Sequence, residues 1–164
     1  MAQVIFQVNE KLEDHPEVLI TKLISGKVTF VHRNLWSEIL AIGTACEDWQ
    51  MRGLSDPART LLTKVAEEGS LPTDQLTAKD QTLTKKAQPG EIAKELERKL
   101  LIHAEQVHTS SGKHAKLLET WAHWSERKDF TPAEIPAAEA KRNIDEQIKV
   151  LNAKFGGTAR LPWT

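Results

Sequence analysis

Four histidines lie close together in the second half of the chain, at His103, His108, His114 and His123. Imidazole nitrogens bind metals, but metal sites use recurring close spacings that carboxylates or cysteines complete. His103 and His108 are an odd number of residues apart in a predicted strand, so their side chains face opposite sides of it. This spacing favours surface positions or contacts with phosphate over a metal site.

The other reactive side chains show no catalytic arrangement. Adjacent carboxylates occur at residues 47–48 and 67–68, but neighbours on a helix point about 100° apart and cannot flank one substrate bond. Cys46 has no histidine near it in sequence and is interpreted as an unreactive thiol, buried or partly exposed. The chain contains no nucleophile elbow, glycine-rich phosphate loop or H-E-x-x-H motif. We therefore predict a protein that is not an enzyme and needs no cofactor.

Basic side chains around a predicted helix and hairpin are the strongest binding signal, because lysine and arginine neutralise phosphates. The residues predicted to contact DNA are Lys94, Arg98, Lys99, Lys113, His114 and Lys116. The same helix is predicted to expose Glu91, Glu95 and Glu97, which would repel a polyanion. The net charge of −1, from 22 basic and 23 acidic residues, also lacks the basic excess typical of nucleic-acid-binding domains. DNA contact and a solvated face used for packing both stay open.

Three predicted helices precede the hairpin. The first starts in the run Leu54-Ser55-Asp56-Pro57, where a capping side chain is followed by Pro at the first helical position, and it ends at Gly69, which suits a left-handed cap. A second, short helix begins at residues 72–76, and a polar, weakly patterned loop follows it. The third helix covers residues 89–100, where apolar residues recur every four positions.

After residue 100 the period of the apolar residues changes from helical to strand-like. Strands are predicted over residues 102–109 and 114–120, joined by a turn at 110–112. Helix, short helix, helix and hairpin is the order of a winged helix-turn-helix module, in which the third helix enters the major groove of DNA and the hairpin touches phosphates. Residues 54–124 are therefore assigned to a winged-helix domain.

Residues 1–53 are predicted to form an N-terminal strand and helix extension that packs on this domain. Strand-like runs at residues 18–24 and 28–31 predict a β-hairpin, although the first run also fits a buried helix. The composition of residues 3–8 is likewise strand-like, whereas residues 34–51 have helical periodicity.

Residues 125–164 are predicted as a polar linker and an amphipathic helix over residues 136–154 that ends at Gly156. The apolar stripe of this helix consists of Ile144, Ile148, Leu151 and Phe155. The stripe suits either packing back on the domain or pairing with a partner helix. Together, the three segments predict an α+β fold.

The composition describes an ordinary globular protein, since 164 residues suit one domain and 40% hydrophobic residues suffice for a core. Four tryptophans are predicted to pack in that core: Trp36, Trp49, Trp121 and Trp124. Cys46 is the single cysteine, which excludes an internal disulfide and fits a reducing cytosol. The first residues lack a signal-peptide pattern and no apolar run approaches a membrane span, so we predict a soluble, cytoplasmic protein.

Three runs of the sequence carry a family resemblance: SGKVTFVHRNLWSEILAIG, LSDPARTLLTKVAEEGSLPTDQL and KELERKLLIHAEQVHTSSGKHAKLLETWAHW. Over about residues 4–124 the chain resembles winged-helix proteins related to DNA glycosylases of the AlkZ type, in the order of elements and in scattered residues such as Ala58-Arg59. The resemblance implies a winged-helix architecture and a link to DNA repair or DNA binding. The glycosylases are far longer and use a Gln-aliphatic-Gln (or Asp) motif. Gln7-Val8-Asn9 departs from that motif, so no catalytic residue is carried over.

We therefore predict a non-enzymatic winged-helix protein that binds double-stranded DNA, linked to DNA repair or regulation. The third helix and the hairpin would supply its phosphate contacts. One alternative is a protein-interaction module that forms a homodimer through the C-terminal helix. Another is a minimal DNA glycosylase that depends on Gln7. No membrane partner is expected.

Overall fold

The computed structural model of the protein describes residues 2–13, 15–76, 89–108 and 114–164, with the backbone alone at residues 2–6, 9, 108 and 114. In these ranges the chain forms helices and two small antiparallel sheets, one of two strands and one of three. This arrangement confirms the predicted α+β class. No helix in these ranges combines the length and the apolar character that a membrane crossing needs.

The chain begins with helix α1 (Ala2–Glu13) and a hairpin of strands β1 (Val18–Thr21) and β2 (Thr29–His32). The two strands pair antiparallel, which confirms the hairpin and excludes the buried helix that was its alternative. The strand-like composition of residues 3–8 was a wrong indication, because these residues lie inside α1. A helix satisfies its backbone hydrogen bonds within itself, whereas a strand needs a partner edge.

Two helices, α2 (Trp36–Gly43) and α3 (Asp48–Met51), occupy the stretch over residues 34–51 that was predicted to be helical. The break between them includes Cys46, whose φ of 49° lies in the left-handed region. Glu47 then caps α3 in a capping box with Gln50. Local backbone and capping features therefore end a helical periodicity that the apolar residues alone would continue.

Helix α4 (Asp56–Glu68) has the termini that the sequence predicts. The Ser55 side chain accepts a hydrogen bond from the backbone N–H of Ala58, and Gly69 ends the helix with a φ of 76°. Because both signals act within a few residues of the helix ends, this prediction needed no knowledge of the tertiary structure.

Strand β3 (Ser70–Pro72) and a 3-10 turn (Thr73–Gln75) follow α4. The predicted short helix thus begins as a strand and a turn. Residues 77–88, which contain the predicted loop, lie outside the described residues.

Helix α5 (Pro89–Arg98) and strands β4 (His103–His108) and β5 (His114–Glu119) confirm the predicted third helix and hairpin strands, while the turn at 110–112 lies outside the described residues. Strand β5 lies in the middle of the three-stranded sheet and pairs antiparallel with both β3 and β4. Helix α5 therefore leads directly into the β4–β5 hairpin, and β3, which follows α4, pairs with β5 as the third strand of the sheet.

The C-terminal part contains helices α6 (Trp121–Arg127) and α7 (Ala137–Phe155). Helix α6 was not predicted, because the sequence becomes polar after Trp124, but Thr120 caps it by accepting a hydrogen bond from the His123 N–H. Helix α7 confirms the predicted C-terminal helix to within one residue at each end.

Two hydrophobic clusters hold the fold together. The first core consists of Leu19, Leu23, Val31, Trp36, Ile39, Leu40, Ile42, Leu100, Trp121, Trp124, Ala140, Ile144, Ile148 and Leu161. The second core consists of Leu54, Ala58, Leu61, Val65, Leu71, Leu76, Ile92, Ala93, Leu96, Leu101, Ile102 and Leu118. Burial of Trp36, Trp121 and Trp124 confirms their predicted packing, and Trp49 is partly buried against the first core.

The two cores meet at Leu100 and Leu101, which are neighbours in sequence but belong to different cores. The indole Nε1 of Trp121 donates a hydrogen bond of 2.6 Å to the carbonyl oxygen of Leu100. A Cβ atom on Gly43 would lie 2.2 Å from the same indole nitrogen, so only glycine allows α2 and α6 to approach this closely.

Candidate functional site

Helix α5 carries two of the predicted DNA contacts, Lys94 and Arg98, and a third, Lys99, directly follows it. Its apolar residues Ile92 and Leu96 are buried in the second core, as predicted, and Leu100 after the helix is buried in the first. Arg98 is exposed, but Glu97 is only 5% exposed. The prediction that Glu97 faces solvent was therefore wrong.

The Glu97 carboxylate lies between two lysines from distant parts of the chain. Its Oε2 accepts hydrogen bonds from the Nζ of Lys22 at 2.7 Å and from the Nζ of Lys116 at 2.9 Å. Burial lowers the pKa of Lys22, and the carboxylate opposes that effect. Two ammonium groups on one carboxylate leave this group of three with a net positive charge. The sequence prediction included Lys116 but not Lys22.

Glu95 is also held by the protein rather than free to oppose a polyanion. Its two carboxylate oxygens accept hydrogen bonds of 2.8 Å each from the backbone N–H and the side-chain hydroxyl of Ser55. Ser55 is the N-cap of α4, where the helix dipole favours a negative charge. Glu95 thus links α5 to the start of α4.

Lys94 and Lys99 have partners within the protein. Lys94 forms an ion pair with Glu91, one turn earlier on the exposed side of α5. The Nζ of Lys99 donates to the carbonyl oxygens of Trp49 at 3.0 Å and Arg52 at 2.8 Å, at the C-terminal end of α3. Lys99 therefore serves to dock α3 on α5.

Arg98 lies beside the turn of the N-terminal hairpin. Its Cγ and Nε atoms are 3.4 Å from the position that a Cβ on Gly26 would occupy, and Gly26 has a φ of 65°. Among the described residues, no hydrogen bond or ion pair holds the Arg98 guanidinium. It is the predicted contact that is best placed to bind an external anion.

The predicted contacts of the hairpin that the structure describes lie at the start of β5 and in its middle. Lys116 lies within the strand, where it reaches Glu97. The backbone of His114 pairs with His108 at the outer end of the hairpin. Lys113 lies outside the described residues. The described contacts of α5 and β5 thus bring Lys116 to the helix that carries Lys94 and Arg98.

A second group of charged side chains surrounds the buried carboxylate of Glu119, at the inner end of β5. His103 Nδ1 lies 3.1 Å from Oε1, and His123 Nδ1 lies 2.8 Å from Oε2. The Arg127 guanidinium donates to both oxygens and also to Glu105. Strands β4 and β5 and helix α6 all contribute to this Glu119 cluster.

The partners of Glu119 determine its ionisation. Burial alone would raise the pKa of its carboxyl, but hydrogen bonds from His103, Arg127 and His123 lower that pKa to about 2. The carboxylate in turn raises the pKa of Arg127. Glu119 is therefore ionised at any physiological pH.

The Glu119 cluster contains the donor types of a metal site. Ligand atoms of His103, Glu105 and Glu119 lie within 4.8 Å of one another. However, Arg127 already forms ion pairs with both carboxylates, so its guanidinium occupies the place of a cation. The geometry fits an internal ion pair that joins a sheet to a helix.

The histidines differ from the prediction of surface positions. His103 is only 4% exposed and lies 5.7 and 5.8 Å from the ring centroids of Trp121 and Trp124. That prediction was wrong for His103, because this side chain packs beside the two tryptophans and bonds to the carboxylate of Glu119 in the neighbouring strand. His123 is 36% exposed at its side chain, and the side chains of His108 and His114 lie outside the description.

The other reactive groups lie apart from both sites. Cys46 is exposed, at the break between α2 and α3. Gln7 is exposed on α1. Glu47 accepts hydrogen bonds from Lys141 and Trp49, and Lys141 is the main cause of its lowered pKa.

Comparison of the chain with protein-family models, curated proteins and solved structures gave no match.

Proposed function

We propose that this chain is a non-enzymatic winged-helix protein that binds double-stranded DNA through α5 and the β4–β5 hairpin. The order of its elements supports the winged-helix assignment. Helix α4 leads through β3 to α5, α5 leads into the hairpin, and β5 lies between β3 and β4. This is the order in which a helix and an adjacent hairpin contact the groove and the phosphates.

The environment of the acidic residues on α5 is the observation that carries the proposal. Glu97 is paired with two lysines, and Glu95 accepts hydrogen bonds from Ser55, the N-cap of α4. Glu91 is the third carboxylate of α5, and it pairs with Lys94. The three acidic and two basic residues of α5 carry a charge of −1, and the addition of Lys22 and Lys116 changes this to +1 (four positive and three negative charges), which favours a phosphate.

The interface that we propose keeps five of the six predicted residues and gains one. Arg98, Lys94 and Lys116 belong to it in the described part of the chain, and Lys113 and His114 are retained from the sequence prediction. Lys22 adds a positive charge from β1's end of the N-terminal hairpin. Lys99 contributes less, because carbonyl oxygens hold its ammonium group. The resemblance to the glycosylase-related proteins supports a role in DNA repair or regulation.

The decisive variant is Arg98→Glu, because that side chain is exposed and its loss breaks no described hydrogen bond. We expect its affinity for a duplex to fall about tenfold or more at low salt, with a salt slope reduced by about one unit per lost phosphate contact. Fluorescence anisotropy across a salt series measures both quantities.

The matched control is Arg142→Glu, which reverses an exposed charge on α7. Its affinity should stay within about twofold of the unchanged protein, since long-range charge effects are screened beyond about 10 Å at 0.1 M salt. Equal losses in the two variants, or none in either, would remove α5 from the interface. Lys113→Glu tests the hairpin in the same way.

A further inference from the structure

The last two turns of α7 extend beyond the first core. Ile144 and Ile148 are buried there, which confirms that the first half of the predicted stripe packs back on the protein. Leu151 and Phe155, the second half, are 46% and 71% exposed, as is Val150 at 59%. A cluster of large apolar side chains at one helix end is typical of an interaction surface.

The polar residues around this patch make it complementary to itself. Glu146, Val150 and Lys154 are spaced four residues apart and are all exposed, so they lie along one side of the helix. Within these two turns, Glu146 supplies a negative charge and Lys154 a positive charge on either side of the apolar Val150, and Arg142 continues the row one turn before Glu146. Gln147 and Leu151 flank the row on its adjacent side.

We propose that this end of α7 binds the same segment of a second copy of the chain, with the two helices antiparallel. In that orientation Glu146 of each copy lies opposite the partner's Lys154, so the pair has two such contacts. Val150 and Leu151 lie between them, at the centre. In a parallel pair, each Glu146 would instead lie beside the partner's Glu146 and each Lys154 beside the partner's Lys154, and these like charges would repel each other. The charges thus select both the partner and the orientation.

The pairing is weak and reversible. Two helical turns bury less than the roughly 1,200 Å² of a stable interface, so the dimer forms only as the concentration rises. It is independent of the DNA contacts, which lie on α5 and the hairpin. Failure of either proposal therefore leaves the other intact.

Sedimentation equilibrium of the full chain over a wide concentration range tests the pairing. Glu146→Lys and Lys154→Glu should each weaken the dimer at least fivefold, and the double reversal should restore it to within about twofold, because the pair is re-formed with its signs exchanged. Leu151→Asp should leave the protein monomeric at every concentration. Circular dichroism confirms that each variant is folded.

Glu139→Lys, at the start of α7, and Glu67→Lys, on α4, reverse exposed charges away from this patch, serve as matched controls and should leave the dissociation constant unchanged. A protein that is monomeric throughout, or a Leu151→Asp variant that is destabilised without any change in mass, would overturn the proposal in favour of a solvated or internally covered patch. A dimer that the double reversal fails to restore would exclude the antiparallel orientation.

Discussion

The two hydrophobic cores differ in how they are assembled along the chain. The second core uses residues from Leu54 to Leu118 only, so it is continuous in sequence. The first core combines residues from Leu19 to Ile42 with others from Leu100 to Leu161, so its residues come from both before and after those of the second core in the sequence. One core is local and aliphatic, and the other is non-local and contains the buried tryptophans.

This difference raises the question of whether the two cores unfold separately or together. The chain passes directly from the first core to the second at Leu100 and Leu101, and Trp121 of the first core donates a hydrogen bond to the Leu100 carbonyl oxygen. The Glu119 cluster is a second link, because it joins β5, which carries Leu118 of the second core, to α6, which carries Trp121 and Trp124 of the first. The carboxylate of Glu119 is buried, whereas Arg127 and Glu105 are partly exposed. We therefore expect the cores to unfold together.

Trp121→Ala should have the largest effect, because it removes a side chain that fills the first core and also breaks its bond to Leu100. We expect a loss of about 4 to 5 kcal/mol in the free energy of unfolding. Urea denaturation followed by circular dichroism measures it. Trp163→Ala, a partly buried position against the same core, is the control and should cost clearly less. Equal losses would mean that Trp121 is no special junction.

Leu61→Ala should come next, at about 3 to 4 kcal/mol, since the side chain is fully buried in the second core. All five tryptophans belong to the first core or pack against it. Tryptophan fluorescence therefore reports the first core, whereas circular dichroism reports both. We expect the two denaturation curves to shift together. A fluorescence transition that stays in place while the dichroism transition moves would show that the cores are independent.

Glu119→Gln should have the smallest of the three effects. The difference between 4.5 and about 2 corresponds to about 3.5 kcal/mol at about 1.4 kcal/mol per pKa unit, and solvent at the exposed side of the cluster reduces it to about 2 to 3 kcal/mol at pH 7. The folded-state pKa of about 2 lies below the ordinary value of 4.5. The ionised carboxylate therefore stabilises the fold above pH 4.5, and this stabilisation is lost as the pH falls toward 2.

Unfolding free energies of Glu119→Gln and the unchanged protein, measured between pH 7 and pH 2, check this sign. The gap between the two should be largest at neutral pH and should narrow in acid. A gap that is constant across this range would assign the effect to packing rather than to charge. Glu105→Gln is the comparison at the exposed side of the same cluster and should cost less.

The contrast between the cores also explains what the sequence could predict. The helix from Ser55 to Gly69 and the change of period before β4 depend on residues a few positions apart, so both were predictable. Helix α6 was not, because its tryptophans are buried by residues from the other end of the chain. Local patterns nevertheless predicted the β1–β2 hairpin and α7 of the first core as well as α4 and α5 of the second.

The site shows the same division. The basic residues of α5 and the hairpin could be chosen from the sequence by their type and helical spacing. The burial of Glu97 could not, because Lys22 lies 75 residues earlier in the chain. The burial of His103 likewise depends on Glu119, 16 residues later in a paired strand. Neither contact leaves a periodic signal in the sequence.

The interleaved first core also has a consequence for protein synthesis. Every residue of the second core has been synthesised once Leu118 is added to the chain, whereas the first core is incomplete until Leu161 is added. Domains complete their folding as their residues emerge, and exposed apolar surface in the meantime favours aggregation. Trp36 thus emerges early, whereas its aromatic partners Trp124 and Phe130 emerge only after the whole second core, so apolar surface around α2 stays exposed in the meantime.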